Sequence, residues 1–289
     1  MTTQKIYAAG LSAALLAAGL LGLSGAVFAQ GDASKTAPGE GAASKTAPSD
    51  GGADKTAPAE PDVLIPDRPG FTNGSDTVVP GRVQVESGFA RTKGSADSGG
   101  GQATDGPQTL VRAGLNPKLE LRVILPDYIW PSGGQSGFGD GGVGVRYKFY
   151  QSKNGNTKVS LTPILSIPVR SAVTTSGHFD PILSLNGQTT SGSRWSLSSN
   201  VILAFPTITG RRVTDFTVTG QVNYQVTSPL SLFADIYDDL PRGGPPSSIG
   251  DGGLTYRLTS NLQLDLETGR GLGGAAPVQF YGGGVSVRF

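Results

Sequence analysis

The final ten residues, Phe280-Tyr-Gly-Gly-Gly-Val-Ser-Val-Arg-Phe289, constrain this chain more than any other stretch. Counting back from the end, Phe289, Val287, Val285, Gly283 and Tyr281 alternate with Arg288, Ser286, Gly284 and Gly282. A period of two puts the first set on one face of a strand and the second on the other. One face is apolar or aromatic; the other is polar or carries no side chain. Left as an edge, such a strand would expose unpaired backbone groups and invite aggregation. Pairing the last strand with the first closes the sheet and removes the edge.

The same alternation runs from Arg82 onward. Val83, Val85 and Phe89 alternate with Gln84 and Glu86; Leu119, Leu121 and Val123 with Glu120 and Arg122; Val143, Val145 and Tyr147 with Gly144, Arg146 and Lys148. Further on, Phe216, Val218, Val222 and Tyr224 oppose Thr217, Thr219, Gln221 and Asn223, and Leu262, Leu264 and Leu266 oppose Gln263, Asp265 and Glu267. A weaker strand falls near Phe179–Asn186. The count is about twelve strands, each near the roughly 9–11 residues that a tilted strand needs to cross a bilayer. Nearly every strand charge falls on one face, while Tyr147, Trp195, Tyr224, Tyr256 and Tyr281 fall on the other, as lipid-facing interfacial aromatics do. The links alternate too. Asn116-Pro117, 153–156, 227–229 and 259–260 are tight; 94–107, 127–140, 170–178, 206–213, 239–248 and 270–278 are long and rich in Gly, Pro and Ser. The reading is therefore all-β: a single antiparallel transmembrane β-barrel of about twelve strands over residues 82–289, with tight turns on the periplasmic side and long loops outside. The terminal strand resembles the C-terminal signal of bacterial outer-membrane barrels. That resemblance implies that Tyr281, Val285, Val287 and Phe289 are read by the barrel-assembly machinery.

In front of the barrel the composition changes twice. Residues 1–29 read as a cleaved signal peptide: Lys5, an Ala/Leu-rich run from Ala8 to Leu23, and Val27-Phe28-Ala29 before the cut. Residues 30–60 carry a Lys-Thr-Ala-Pro repeat ending at Pro38, Pro48 and Pro58; nothing in it can bury a core, so it reads as a disordered linker. Residues 61–81 form a periplasmic N-terminal segment whose Asp67-Arg68 pair, beside Pro69-Gly70, is expected at the periplasmic mouth, paired with lumen charges.

The 289 residues include 44 Gly, one His, one Met and no Cys. That excludes a disulfide framework, thiol catalysis and a His-rich metal site, and no cofactor is expected. Lys and Arg number 23 against 22 Asp and Glu, so no basic field attracts nucleic acid. Ser176, His178 and Asp180 contain the residue types of a hydrolytic triad, but adjacency in a loop does not supply nucleophile–base geometry. Gly269–Gly274 reads as an outer loop, since no strand–loop–helix context supports phosphate binding.

The polar face assigns a lumen lining: Glu86, Arg112, Glu120, Arg122, Arg146, Lys148, Asp235, Arg257, Asp265, Glu267 and Arg288, with Arg82, Lys158 and Arg194 on the same face. Barrel closure is expected to bring Arg288 toward Glu86, and strand order to bring Glu86 to Arg112 and Arg257 to Asp265. The set reads equally as a structural network filling a narrow lumen or as a pore lining that sorts solutes by charge; its slight basic excess favours anions. Tyr128, Ile129, Trp130 and Phe138 read as an aromatic belt at the outer interface or as a docking point for apolar solutes.

Asp67-Arg68-Pro69-Gly70-Phe71-Thr72, followed by Gly81, Gln84, Glu86 and Gly88, then Arg112-Ala-Gly114, Leu119-Glu-Leu-Arg122, Gly139-Asp140, Gly144 and Lys148, resembles the barrels grouped as "putative MetA-pathway of phenol degradation" proteins. The resemblance spans roughly residues 62–289. It implies an outer-membrane channel or transporter for passive or weakly selective uptake of small molecules, aromatic or hydrophobic compounds among them. The expected partners are the outer-membrane bilayer, the assembly machinery and a small solute, with no nucleic acid. Two alternatives stand beside it: a phospholipase-like barrel enzyme and a closed structural barrel.

Overall fold

A computed structural model describes residues 62–94, 101–169, 175–242 and 244–289. The signal-peptide and repeat-linker readings lie outside the described residues. The elements in chain order are β1 (Val83–Lys93), β2 (Gln102–Asn116), β3 (Leu119–Leu125), β4 (Tyr128–Pro131), β5 (Gly137–Phe138), β6 (Gly141–Gln151), β7 (Thr157–Ile167) and β8 (Asp180–Ser191). They continue with β9 (Trp195–Ala204), β10 (Thr207–Ile208), β11 (Arg211–Arg212), β12 (Asp215–Gln225), β13 (Leu230–Pro241), β14 (Ser247–Thr259), β15 (Leu262–Gly274) and β16 (Gln279–Arg288).

Every pairing is antiparallel, and the sheet closes. β1 pairs with β2 on one side and with β16 on the other, Gln84 opposite Arg288 and Lys93 opposite Gln279. β3 and β4 are two runs of one strand along β2, and β5 is a short partner of β4, so the wall is a closed barrel of twelve antiparallel strands. Phe289 donates its N–H to the Val83 carbonyl at 2.8 Å, and Val83 donates back to Phe289 at 3.3 Å, which completes the last rung of the seam. Closure is what lets such a chain face lipid, because no backbone group is left unpaired.

The alternation resolves into an inside-out barrel. Phe89, Leu121, Tyr147, Leu165, Leu185, Trp195, Leu232, Tyr256, Leu266 and Tyr281 are exposed, whereas Glu86, Arg112, Glu120, Arg146, Asn186, Asn200, Thr219 and Ser286 are almost fully buried. Trp195 stacks on Tyr224 with ring centroids 4.5 Å apart, on the outer wall near the tight-turn end. An apolar cavity of about 520 Å³ lined by Leu121, Val143, Pro163, Leu165 and Leu183 lies on this outer wall, because those residues alternate with the inward Arg122, Arg146, Thr162 and Ser184.

At the long-loop end the strands reach further than their alternation indicates. β2 starts at Gln102, β13 runs to Pro241 and β15 to Gly274, so Gly269–Gly274 is strand and not loop. The weak strand near Phe179–Asn186 is the full-length β8. Ladder hydrogen bonds extend these strands through Gly, Asp and Thr, whose side chains carry no alternation of their own.

Deleting Phe289 removes both seam hydrogen bonds and a lipid-facing ring, whereas Arg288→Ala removes only inward contacts to Asp62 and Asn261. The deletion is expected to lower the yield of heat-modifiable, folded barrel on gels several-fold, and Arg288→Ala to leave it within a factor of about two.

Candidate functional site

Residues 64–79 of the stretch that precedes β1 lie inside the barrel, with Asp62, Pro80 and Gly81 exposed at its ends. Leu64 and Val78 are 1% exposed and Ser75 is fully buried. A chain segment without secondary structure can be buried there only if its backbone groups find partners, and the inward wall supplies them. Asp67 and Arg68 donate their N–H groups to the Glu86 carboxylate at 2.8 and 3.0 Å. Gly70 donates to Glu267, Phe71 and Thr72 to Asp235, Asn73 to Asn200, Ser75 to Gln188 and Val78 to Glu120, all between 2.7 and 3.0 Å. Gly81 then donates to the Gly114 carbonyl. These partners stand on β1, β15, β13, β9, β8, β3 and β2, the order of strands around the wall. The segment therefore makes one circuit of the lumen before it enters β1.

Its side chains lock the circuit. Asp67 projects into a cluster of guanidinium groups: Arg122 at 2.7 Å, Arg146 at 2.8 Å and Arg112 at 3.6 Å. Glu86 and Glu120 share the same cations, with Arg112 at 2.9 Å from Glu86 and 3.0 Å from Glu120. Arg112 also donates to the carbonyls of Ile65 and Asp76, tying the start of the circuit to its return. Lys158 and Lys148 hold the Asp76 carboxylate at 2.6 and 3.5 Å. Across the seam, on β15, Arg68 reaches Asp265 at 3.1 Å. Its guanidinium lies over Gly88 and Gly284, where a Cβ would collide with it.

Burial alone would raise the Asp67 carboxyl, but the Arg112, Arg146 and Arg122 charges outweigh it and hold the group well below the usual carboxylate range. A depressed value means that the contribution of this anchor is complete above the ordinary Asp range, about pH 4. It is lost only as pH falls through the depressed value.

The inward residues read from the sequence are thus brought together, around a segment and not around an open pore. Glu86, Arg112, Glu120, Arg122, Arg146, Lys148, Asp235, Asp265 and Arg288 are buried; Glu267 and Arg257 are partly buried. Four expectations change. Arg288 lies opposite Gln84 and bonds Asp62 and Asn261 instead of Glu86, because the seam register puts Ser286 opposite Glu86. Arg257 lies opposite Gln263, and Asp265 is taken by Arg68. Arg194 sits in an exposed turn near Tyr224, and Arg82 is a half-exposed partner of Asp62. The basic excess does not survive pairing. Arg68, Arg112, Arg122, Arg146, Lys148, Lys158 and Arg288 each have an acidic partner, whereas among the described residues one inward cation, Arg257, and five acids, Asp105, Asp215, Asp235, Asp239 and Asp251, have no partner of opposite charge within 4.0 Å. The charge in excess inside is negative.

The backbone-binding amides Asn200 and Gln188 and the carboxylate of Asp76 are not singled out as site residues in the sequence, although Lys158, which clamps Asp76, is read on the lumen face. The signal was present as a run of inward amides and hydroxyls on β7, β8, β9 and β12. Ser176 and His178 bond each other through the His178 main chain and not through the imidazole, and the Asp180 carboxylate is held by Thr207 and Arg212. Tyr128, Trp130 and Phe138 pack with centroids 4.8 and 5.0 Å apart; Trp130 and Phe138 are exposed while Ile129 points inward, an arrangement that favours the interfacial belt.

A family model described as "Putative MetA-pathway of phenol degradation" matches residues 66–289. No curated protein matches the chain. Among solved structures, an outer membrane channel from Pseudomonas putida F1 superposes with a TM-score of 0.58 at 15% identity, covering 77% of this chain and 99% of that one. A NanC porin structure gives 0.50 at 11% identity, covering 71% and 98%. At such identities the likeness is one of fold: the outer-membrane barrel.

Asp67→Asn keeps the shape of the side chain and strips the anchor of its charge. Removing one partner of a buried ion cluster costs about 3–5 kcal/mol. Amide exchange over residues 67–78, followed by mass spectrometry, is expected to accelerate about a hundredfold or more in the variant. In the wild-type chain, after correction for intrinsic rates, protection is expected to hold from pH 7 down to about pH 4.

Proposed function

The chain belongs to this family, and from that premise we propose that it is an outer-membrane channel for passive, weakly selective uptake of small molecules, aromatic or otherwise apolar compounds among them, its passage narrowed by the lumen segment. One observation carries the reading: residues 64–79 circle the lumen on side chains that the wall commits to them. A barrel whose only task was to be closed and stable could fill its interior with wall side chains, as small barrels do. Here the filling belongs to a segment anchored by ion pairs and hydrogen bonds at single points, and its position sets the free cross-section. The long loops then face outward and the tight turns the periplasm. The family description supports the same reading, as does the fold shared with an outer membrane channel and a porin.

Single-channel recording in planar bilayers and liposome swelling test it on the full-length mature chain. The wild-type protein is expected to show small, steady conductance, and Arg68→Ala or Asp67→Asn a conductance larger by about two-fold or more, since the segment then departs from its course. Swelling with aromatic solutes should follow the same order. A wild type and variants that all neither conduct nor swell would sink the channel reading and leave the closed barrel.

A further inference from the structure

The lumen segment does not use all of the wall it faces. On β14, Asp251 points inward, directly opposite Asp235 on β13 and two residues along from the position that faces Glu267 on β15. Asp235 is saturated by the N–H groups of Phe71 and Thr72 and the Thr72 hydroxyl, and Glu267 accepts from Gly70. Asp251 receives nothing. It is 9% exposed, and neither carboxylate oxygen has a hydrogen-bond donor. An isolated buried carboxylate is strongly disfavoured and calls for a proton or a counter-charge. Among the described residues no group of three or more acids or histidines is arranged to hold a metal ion.

Beside these acids, Asp251 also borders an aromatic cluster. A Cβ added at Gly269 would stand 2.6 Å from Asp251 Cβ and 2.5 Å from Phe280 Cζ, so the two side chains converge on that glycine. Phe280 belongs to a buried cluster with Tyr237 and Ile249, and Phe71 of the lumen segment packs on it, 4.7 Å from the Tyr237 ring and 5.6 Å from the Phe280 ring. A carboxylate without a partner next to an aromatic cluster is complementary to one ligand chemistry: an ammonium group on an apolar or aromatic body, held by charge at one end and by ring contact at the other.

We propose that Asp251, with Phe280, Tyr237 and Phe71, forms a binding subsite for a small organic cation within the lumen. The proposal rests on the channel reading for its purpose and deepens it: the subsite would give a solute bearing an amine a resting place beside the narrowing. The lumen segment supplies one wall of the subsite through Phe71.

Calorimetric titration of the folded full-length barrel in detergent micelles with phenethylammonium, against a micelle blank, reads binding without any need for conduction, so its failure is distinguishable from failure of the channel. The wild type is expected to give saturable heat. Asp251→Asn, which keeps the shape, is expected to bind about tenfold or more weakly, the loss of one charge-assisted contact, and Asp251→Glu to retain binding. Uncharged 2-phenylethanol is expected to bind the wild type about as weakly as phenethylammonium binds Asp251→Asn. Heat no greater than the blank, equal affinity in Asp251→Asn, or equal affinity for the alcohol would each overturn the proposal. Heat-modifiable migration of every variant establishes that the barrel compared is folded.

Discussion

Everything inside this barrel depends on one carboxylate meeting three guanidinium groups. Arg112, Arg122 and Arg146 come from three consecutive strands of the wall and converge on the same small volume. Left to themselves they would repel one another in a poorly hydrated interior. Glu86 and Glu120 offset part of that repulsion from the wall, and Asp67 supplies the rest from the segment. The wall thus carries an arrangement that is incomplete until the segment enters, and the segment carries a charge for which no other place among the described residues is comparably prepared. This mutual incompleteness, more than apolar packing, explains why a stretch with little hydrophobic content is held inside a barrel.

The rest of the interior follows from the same logic in a weaker form. Each inward acid or amide that accepts an N–H from the segment replaces a water that the backbone would otherwise need. Carboxylates bind main-chain donors well, so a wall built to hold a loop becomes acidic where the loop runs. Most of the inward cations are drawn into pairs, and several acids are left over. On β12 to β14 the loop takes up Asp235, whereas Asp215, Asp239 and Asp251 receive no hydrogen bond from it.

The architecture was legible because lipid imposes a strict rule: inside and outside alternate along every strand, and the chain cannot leave an edge. Val285, Val287 and Phe289 against Ser286 and Arg288 contain that rule in miniature, and the same residues form the seam. Strand length was less legible. Residues such as Ala103, Thr104 and Gly106 pair through backbone alone, and their side chains carry no trace of it. The candidate site was legible as a set of charges but not as a set of partners. Pairing depends on the seam register, which shifts Arg288 from Glu86 to Asp62, and on Arg68, whose reach to Asp265 spans 197 residues of sequence. The circuit could not be read at all from residues 72–80, because an irregular loop has no periodicity; its course is written in the amides and hydroxyls of the strands it touches.

The circuit also has a consequence for how the barrel comes together. Its anchors are distributed over strands from β1 to β15, with Asp62 reaching β16. A strand that slips by one residue turns its inward set toward lipid and withdraws its anchor from the loop. The segment can therefore be fully satisfied only when the strands that anchor it are in register together, so its course through the lumen depends on the alignment of most of the wall at once.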